Sequence, residues 1–443
     1  MNDLTKSAQN FYALPTDAIF LLVLTIGHMW FNPVSNALVV FLLAIYILAG
    51  ILSPSLPDEV PTPRLRERLF FLIRLSIVLF VLAIAAVLPT LWNVSRRHSE
   101  GPATHVNDGL IQTESAIQFL LNARNPYTEN YLNTPMADWK GGEPPWTPTE
   151  STLHHNAYLP ILFIGSIPFY LASQNLLGWY DQRLLYLLIY LIVLLLIPRF
   201  VDGQRNQLLT LLIFGLNFLS THFLAEGRND IVVLFGLLLA TAFAKRGQIE
   251  WSACALGLTM AVKHSAWFFL FFWIVYLLPR PLTWKNANQL LRVLPLGLVI
   301  AIVFIPFLVW DAAAFWDDTI TYVIGAGAGS YPIRGWGFST LLLAFGVIPS
   351  PYAAFPFGIF QIIFGLPTLI VLLIQQYREN TVRRMWMGYA MFFFVITFFS
   401  RFLNDHYFIF ALQVFLLGAF MSPLRQSQAT DSQADRADML RGV

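Results

Sequence analysis

The chain contains nine separate apolar stretches, most of them close to the roughly 20 residues that an α-helix needs to cross the hydrocarbon core of a membrane. Hydrophobic residues make up 57% of the 443 residues and charged residues only 12%, whereas a typical soluble domain has about 25% charged residues. Most of this chain must therefore face something other than water. We predict an all-α, polytopic membrane helical bundle. The stretches are 18–32, 35–52, 70–92, 179–198, 207–224, 290–310, 355–375, 386–402 and 406–422.

Two further apolar regions are not expected to form single clean spans. The region 230–278 has polar breaks at 245–248 and 263–265, which predict three short helices. Helices this short suggest a locally thinned membrane or a cavity. The segment 157–175 contains two prolines, and we expect it to rest on the membrane or to re-enter it rather than to cross.

Basic residues accumulate in the cytoplasmic loops of membrane proteins. In this chain they form six groups, which all lie on one side if the segment 157–175 does not cross. We therefore predict about twelve spans with both termini in the cytoplasm. Arg96 and Arg97 are exceptions, because they begin a long loop on the opposite side. The six groups are Arg64/Arg66/Arg68/Arg74, Arg199/Arg205, Lys245/Arg246, Arg280/Lys285, Arg378/Arg383/Arg384 and the C-terminal tail.

This topology predicts one transmembrane domain over residues 1–422, followed by a disordered cytoplasmic tail at 423–443. The outer loops 93–156 and 311–338 contain many of the ionisable residues that the positive-inside pattern does not explain. We expect no cleavable signal, because the first apolar stretch lacks a small-residue cleavage site and continues into a second one. The single cysteine, Cys254, excludes a disulfide within the chain. We predict an integral protein of the cell (inner) membrane with its chemistry on the extracytoplasmic face.

The first candidate site residues lie at helix ends on that face. Asp108 begins an amphipathic stretch in the first outer loop, and its carboxylate either caps that helix or faces a substrate, two roles that are compatible. Arg228 and Asp230 lie between two apolar spans. Charges at membrane depth are expensive, so these two residues form either a structural ion pair or part of a functional site.

The other candidates follow later in the chain. Lys263 and His264 lie between two short apolar helices, where a lysine must reach the surface or meet an anion such as phosphate. Arg401 and His406 flank a short polar turn, and Arg401 has the geometry to clamp a phosphate; an ordinary interfacial loop is the alternative. The Gly-rich run 325–337 is predicted to be a mobile cover over the site or a flexible connector.

Metal ions, cofactors and nucleic acids are not expected partners. His154 and His155 are adjacent, so on a helix they point about 100° apart and do not easily share an ion. The acidic residues of the outer loop are not spaced as metal ligands.

Five short features follow one another along the chain. They are an acidic residue near the head of a long outer loop, Arg124-Asn125-Pro126-Tyr127 after an amphipathic helix, Tyr158-Leu159-Pro160, Glu226-Gly227-Arg228-Asn229-Asp230 and Gly257-Leu258-Thr259-Met260-Ala261-Val262-Lys263. Their order resembles the GT-C superfamily of polyprenyl-phosphate-sugar-dependent glycosyltransferases. The closest likeness is to glycosyltransferase family 87 and its mannosyltransferase-like relatives. It covers about residues 70–422.

The resemblance implies an enzyme that moves a sugar from a polyprenyl-phosphate-sugar donor to a hydroxyl group of a glycan or lipid acceptor. The roles that it implies are general base for Asp108, ordering of the site for Arg228 and Asp230, and donor-phosphate binding for Lys263, assisted by Arg401 or His406. Two positions depart from the family pattern. Asn107 stands where a second acidic residue is frequent, and the junction has Arg228 and Asn229 where Gly-Gln-x-Asp is usual.

The chemistry of such a transfer fits these residue types. A carboxylate must take the acceptor proton, and cations must stabilise the charge that develops on the leaving phosphate. We expect the apolar groove for a polyprenyl tail among the short helices of 230–278, open to the lipid.

Two other classes of protein are compatible with many spans. A transporter or lipid flippase usually has internal repeats and charges midway along helices, and no convincing repeat relates the two halves of this chain. In a glycan polymerase or ligase, Arg334, Arg401 and His406 would take the central roles instead of Asp108. A non-enzymatic structural protein does not explain Lys263 and Arg228 at membrane depth.

Overall fold

The computed structural model describes residues 16–26, 33–53, 55–59, 62–140, 152–279, 288–326 and 329–422. The predicted tail at 423–443 lies outside the described residues. Helices dominate the described chain and its strands are two short ones, which confirms the all-α prediction. Helices α1–α10 are Thr16–Ile26, Pro33–Leu52, Leu65–Leu82, Leu88–Glu100, Asp108–Leu121, Ile161–Ile164, Ile167–Leu177, Gln182–Leu196, Gln204–Gly215 and Phe218–Glu226. Helices α11–α20 are Asp230–Lys245, Ile249–Met260, Phe269–Leu277, Leu294–Trp316, Tyr322–Ile324, Phe338–Ala344, Phe357–Phe360, Leu366–Arg378, Val382–Phe398 and Asp405–Phe420.

Several short helical turns extend these helices or connect them. The π-helical turns are Ala83–Val87, Asp317–Thr321 and Gln361–Gly365. The 3₁₀ turns are Pro57–Glu59, Pro135–Asp138, Ile197–Phe200, His264–Phe268 and Asn288–Val293. Strands β1 (Arg334–Gly335) and β2 (Phe402–Leu403) pair in parallel, with Arg334 opposite Phe402 and Gly335 opposite Leu403.

Five helical segments of the described chain are long and apolar enough to cross a membrane, which is compatible with an integral membrane protein. A sixth span results if α9 and α10, which are bent by 52° at their junction, cross together. The predicted stretches at 386–402 and 406–422 form the shorter helices α19 and α20. The five segments are Ala37–Glu59, Leu65–Glu100, Gln182–Phe200, Leu291–Ile324 and Phe357–Arg378.

Of the two irregular apolar regions, the first behaves as its sequence predicts. Region 230–278 forms the three short helices α11, α12 and α13, with the 3₁₀ turn His264–Phe268 leading into the last. Segment 157–175 forms α6 and α7, separated at residues 165–166, and it is shorter than the five spanning segments. Pro168 lies in the first turn of α7, where a missing N–H costs little.

The predicted outer loop 311–338 is helical over its first part, contrary to its description as a loop. Helix α14 continues past Asp311, whose backbone is extended (φ −161°, ψ 97°) and therefore kinks the helix. The Asp311 carboxylate accepts a hydrogen bond from the Ala314 N–H at 2.9 Å and so starts the second half as an N-cap does.

A buried charge network accounts for one of the two basic residues that break the positive-inside pattern. Arg97 on α4 contacts Glu114 on α5 at 2.7 Å and Asp181 at 3.0 Å. Asp181 caps α8 and also binds Arg183 at 2.7 Å. Arg183 then donates to the carbonyl oxygens of residues 93, 105 and 225. Two cations and two carboxylates thus join four helices next to the start of α5.

Arg96 has a different environment. It forms an exposed ion pair with Glu100, one turn further along α4, at 2.8 Å. An exposed pair of this kind contributes little to stability.

Candidate functional site

A cavity of about 100 Å³ lies where several parts of the chain meet. They include the head of α5, the junction 227–229, the turn 262–264, the segment 331–334 and the segment 402–407. We call it the polar cavity. The predicted site residues that line it are Asp108, Arg228, Lys263, His264 and His406. The other two predicted residues, Asp230 and Arg401, do not line it, although Asp230 contacts Lys263.

Asp108 is the first residue of α5, and its neighbour caps the helix. The N-cap is Asn107, whose side-chain oxygen accepts from the Gly109 N–H at 3.0 Å. The capping role considered for Asp108 therefore belongs to Asn107. One oxygen of Asp108 also accepts from Gly109 N–H at 2.9 Å, and the other has no hydrogen-bond partner among the described residues. This second oxygen is available to a ligand in the cavity.

Tyr158 packs against the head of the same helix. A Cβ atom at position 109 would lie 1.7 Å from the Tyr158 hydroxyl oxygen, so only glycine permits this contact. Burial raises the pKa of Tyr158 well above its usual value, and the charge of Asp108 adds to the rise. Tyr158 therefore stays protonated and can donate a hydrogen bond into the polar cavity. Tyr158 stands in the motif Tyr158-Leu159-Pro160, but no pattern in the sequence predicts that it lines the site.

Asp230 pairs with Lys263 and not with Arg228, so the structural Arg–Asp pair considered from the sequence is wrong. The Lys263 ammonium lies 2.6 Å from an Asp230 carboxylate oxygen and 2.9 Å from the Asn229 side-chain oxygen. It also lies 4.7 Å from the centre of the Tyr407 ring. An ammonium has three N–H donors, so one remains beyond these two hydrogen bonds, while Asp230 already balances its charge.

Arg228 is held by three neighbours at the junction. Its guanidinium lies 3.4 Å from the Nδ1 atom of His406 and 3.4 Å from a carboxylate oxygen of Glu226, and it stacks over Phe223. The Nε2 atom of His406 lies 4.0 Å from the second oxygen of Asp230. His406 therefore lies between Arg228 and the Lys263–Asp230 pair, and it connects the two cationic positions of the cavity.

Arg334 is a further cation that lines the polar cavity. From the sequence it was expected to have a role only in the polymerase or ligase alternative. It lies in β1, and its guanidinium carbon is 4.6 Å from the centre of the Tyr331 ring. Burial lowers the pKa of Arg334, and the nearby charge of Asp108 opposes that shift. The signal in the sequence was a lone basic residue within a Gly-rich run.

The segment 329–337, which we call the strap, is fixed in place. Gly335 has φ +94°, and a Cβ atom there would lie 1.9 Å from the Leu403 carbonyl oxygen. Arg401, which is 2% exposed, donates to the carbonyl oxygens of Tyr331, Ala353 and Pro351. The described part of the predicted mobile cover is therefore clamped. This use of Arg401 favours a structural role over the phosphate clamp expected from the sequence.

A second cavity, of about 920 Å³, adjoins the polar cavity and is lined mainly by apolar side chains. We call it the apolar groove. Its walls come from residues 263–268, 319–326, 354–361 and 393–402. Only the first of these belongs to the region 230–278, where the groove was expected. The residues that line both spaces are Lys263, His264, Val323, Phe402 and Tyr407.

A third cavity, of about 420 Å³, meets the polar cavity on another side. We call it the vestibule. Asp108, Arg228 and Arg334 line both spaces, so these three residues lie at the boundary. The vestibule is also lined by Trp139 and Trp336.

One group of described residues, formed by His155, Asp317 and Asp318, has the spacing of metal ligands. The Asp318 carboxylate is already engaged: His155 Nδ1 lies 2.7 Å from one of its oxygens, and the Asn156 N–H donates to the other at 2.8 Å. These contacts attach the segment before α6 to the end of α14.

No protein-family model, curated protein or solved structure matches the chain.

Proposed function

We propose that this protein is a membrane glycosyltransferase of the GT-C type, which moves a sugar from a polyprenyl-phosphate-linked donor to an acceptor hydroxyl group. The observation that supports this best is that the polar cavity and the apolar groove adjoin and share five lining residues. A ligand that fills both must have a charged head and a long apolar tail. A polyprenyl-phosphate-sugar has this form, with the phosphate at the boundary residue Lys263.

In the proposed reaction the acceptor oxygen attacks the anomeric carbon, and the bond from that carbon to the phosphate oxygen breaks. Asp108 takes the acceptor proton through its unengaged oxygen. The phosphodiester of the donor becomes a polyprenyl phosphate monoester, so negative charge on the phosphate grows as the bond breaks. Arg228, Arg334 and the remaining N–H of Lys263 stabilise that charge.

We further propose that about twelve segments cross the membrane and that the site opens on the extracytoplasmic side of the cell membrane. Helix α1, the bent pair α9–α10 and the helices α11–α13, α19 and α20 then complete the count together with the five long segments. A lipid-linked donor suits that side of the membrane. The acceptor is a glycan or a lipid that carries a free hydroxyl group.

A glycan polymerase or ligase is a second candidate, because Arg334 and His406 both line the polar cavity. Donors of that class are activated by a pyrophosphate linkage. Comparison of polyprenyl-phosphate and polyprenyl-pyrophosphate donors on the same purified protein separates the two candidates. We expect transfer only from the monophosphate donor.

The substitution Asp108→Asn tests the proposal. It preserves the shape of the side chain and removes the base, so we expect the transfer rate to fall by about 10²–10⁴-fold. The rate is measured with a radiolabelled polyprenyl-phosphate-sugar and the protein in membrane vesicles. Asp138→Asn is the control, because Asp138 is exposed in the same loop and does not line the polar cavity. Full turnover by a folded Asp108→Asn variant would refute the assignment of the base.

A further inference from the structure

The polar cavity and the vestibule share a boundary but differ in their balance of charge. Among the described residues, three cations and a single carboxylate line the polar cavity, namely Arg228, Lys263, Arg334 and Asp108. The vestibule shares Asp108 and the two arginines, lacks Lys263 and adds two carboxylates, Glu226 and Asp405. The polar cavity therefore attracts an anionic ligand, and the vestibule attracts such a ligand less strongly.

The vestibule also presents groups that accept hydrogen bonds. One oxygen of Asp405 accepts from the His406 N–H at 2.8 Å, and the other has no hydrogen-bond partner among the described residues. The side chain of Asn404 donates towards the Tyr331 hydroxyl at 3.5 Å, which leaves its own oxygen as an acceptor. Glu226 is more engaged, because His222 and Arg228 both contact it.

Two tryptophans complete the lining. Trp139 is fixed, because its indole N–H donates to the Val106 carbonyl oxygen at 2.8 Å. Trp336 belongs to the strap and is 59% exposed, and its backbone N–H donates to the Leu403 carbonyl oxygen of β2 at 2.9 Å. A rigid indole combines a large apolar face with a polar edge at a low cost in conformational entropy. It can therefore cover the C–H face of a sugar ring whose hydroxyl groups reach the neighbouring carboxylates.

We propose that the vestibule is the acceptor subsite and that it takes an uncharged, hydroxyl-rich ligand, namely a sugar residue without a carboxylate or phosphate. This inference rests on the proposed function, because it assigns the second substrate of the same site. Asp108 lines both spaces, so a hydroxyl group entering from the vestibule meets the base at the boundary with the donor phosphate. The acceptor sugar lies between Trp336 and Asp405.

Binding can be measured without any transfer reaction. The full chain is placed in lipid nanodiscs, free of sugar-based detergent, and saturation-transfer NMR is recorded with methyl α-D-mannoside, methyl β-D-glucoside and methyl β-D-glucuronide. We expect transfer to a neutral glycoside and much less to the glucuronide, which differs from the glucoside by one carboxylate. Trp336→Ala and Asp405→Asn should each weaken binding of the neutral glycoside by about two- to tenfold, the size of one well-placed contact.

Trp251→Ala is the matched control, because Trp251 is 64% exposed and does not line the vestibule. It should leave glycoside binding unchanged. The inference is overturned if no neutral glycoside binds, if the glucuronide binds as well as the glucoside, or if Trp336→Ala and Asp405→Asn bind as the parent protein does. If glycosides bind as expected but the protein transfers no sugar from a polyprenyl-phosphate-sugar, the acceptor subsite is supported and the proposed donor is refuted. If Trp336→Ala and Asp405→Asn leave the rate of sugar transfer unchanged, the acceptor subsite is refuted but the proposed transferase function is not.

Discussion

Lys263 and Asp230 are both mostly buried, with side-chain exposures of 9% and 13%. A charge removed from water needs its partner, and loss of one member of a buried pair leaves the other uncompensated. The ion pair therefore stabilises the fold whether or not Lys263 also binds a ligand. A single substitution of Lys263 cannot separate the stabilising role from the ligand-binding role.

A double-substitution cycle separates them. Lys263→Met alone should lower the free energy of unfolding by about 3–5 kcal/mol, because Asp230 then keeps a buried charge without a partner. Lys263→Met combined with Asp230→Asn should recover most of that loss. Thermal unfolding followed by fluorescence-detected size-exclusion chromatography measures both. If the single variant is as stable as the parent, His406 has replaced Lys263 as the partner of Asp230, and the ion pair is not a structural requirement.

The sequence could indicate several site residues but not their partners. Asp108, Arg228 and Lys263 are identifiable because each is an ionisable residue at the end of an apolar segment, where charge is expensive. Their pairing depends on which helix ends converge, and Lys263 meets a residue 33 positions earlier in the chain. Arg334 was not predicted as a residue of the transferase site, because a basic residue in a Gly-rich run has no periodic pattern around it.

At the scale of elements, the helices α4, α5 and α8 are joined by charged side chains rather than by apolar packing alone. Arg97, Glu114, Asp181 and Arg183 form a network that is nearly closed to solvent, since their side chains are 6%, 13%, 3% and 0% exposed. The head of α5 lies beside it, because the Arg183 guanidinium donates to the His105 carbonyl oxygen. The network therefore fixes the position from which Asp108 enters the cavity.

The adjacent residues Arg96 and Arg97 allow a direct test of this network. Arg97→Met should destabilise the protein by about 3–5 kcal/mol, because it leaves two carboxylates with one buried cation. Arg96→Met removes an exposed pair and should change stability by no more than about 0.5 kcal/mol. Chemical unfolding monitored by tryptophan fluorescence compares the two. Equal effects from both substitutions would contradict the structural function of the network.

Local sequence patterns predicted the boundaries of the helices better than they predicted the segments that connect them. The three short helices of 230–278 were predictable from two polar breaks, and α5 from its amphipathic spacing. The helical course of 311–324 was not, because the acidic residues there resembled a solvated loop. The clamp on the strap was also invisible, since it depends on an arginine about 70 residues away, which donates to backbone carbonyls.

At the scale of the whole molecule, the predicted arrangement places the site and the basic loops on opposite sides of the membrane. The residues of the polar cavity come from segments between 107 and 407, so most of the chain contributes to a single site. Helix lengths alone give five spans. The full count depends on shorter helices such as α19 and α20, which cross only if the membrane or their neighbours accommodate them.

Cysteine labelling in intact cells tests this arrangement. With Cys254→Ser as the background, Asp138→Cys should react with a membrane-impermeant maleimide from outside. Gln248→Cys should react only after the membrane is made permeable, because it lies beside the basic pair Lys245 and Arg246. Both positions are exposed at the surface of the protein. Labelling of both from the same side would contradict the proposed topology.

The pairing of the strap with β2 has a consequence for the biosynthesis of the protein. A chain that has emerged only as far as Arg334 contains Asp108, Arg228 and Lys263 but lacks the segment on which the strap is fixed. The cavity is complete only when Arg401, Leu403 and His406 have also been made and α20 has been inserted. Chains that end before this point therefore have an open, unassembled site.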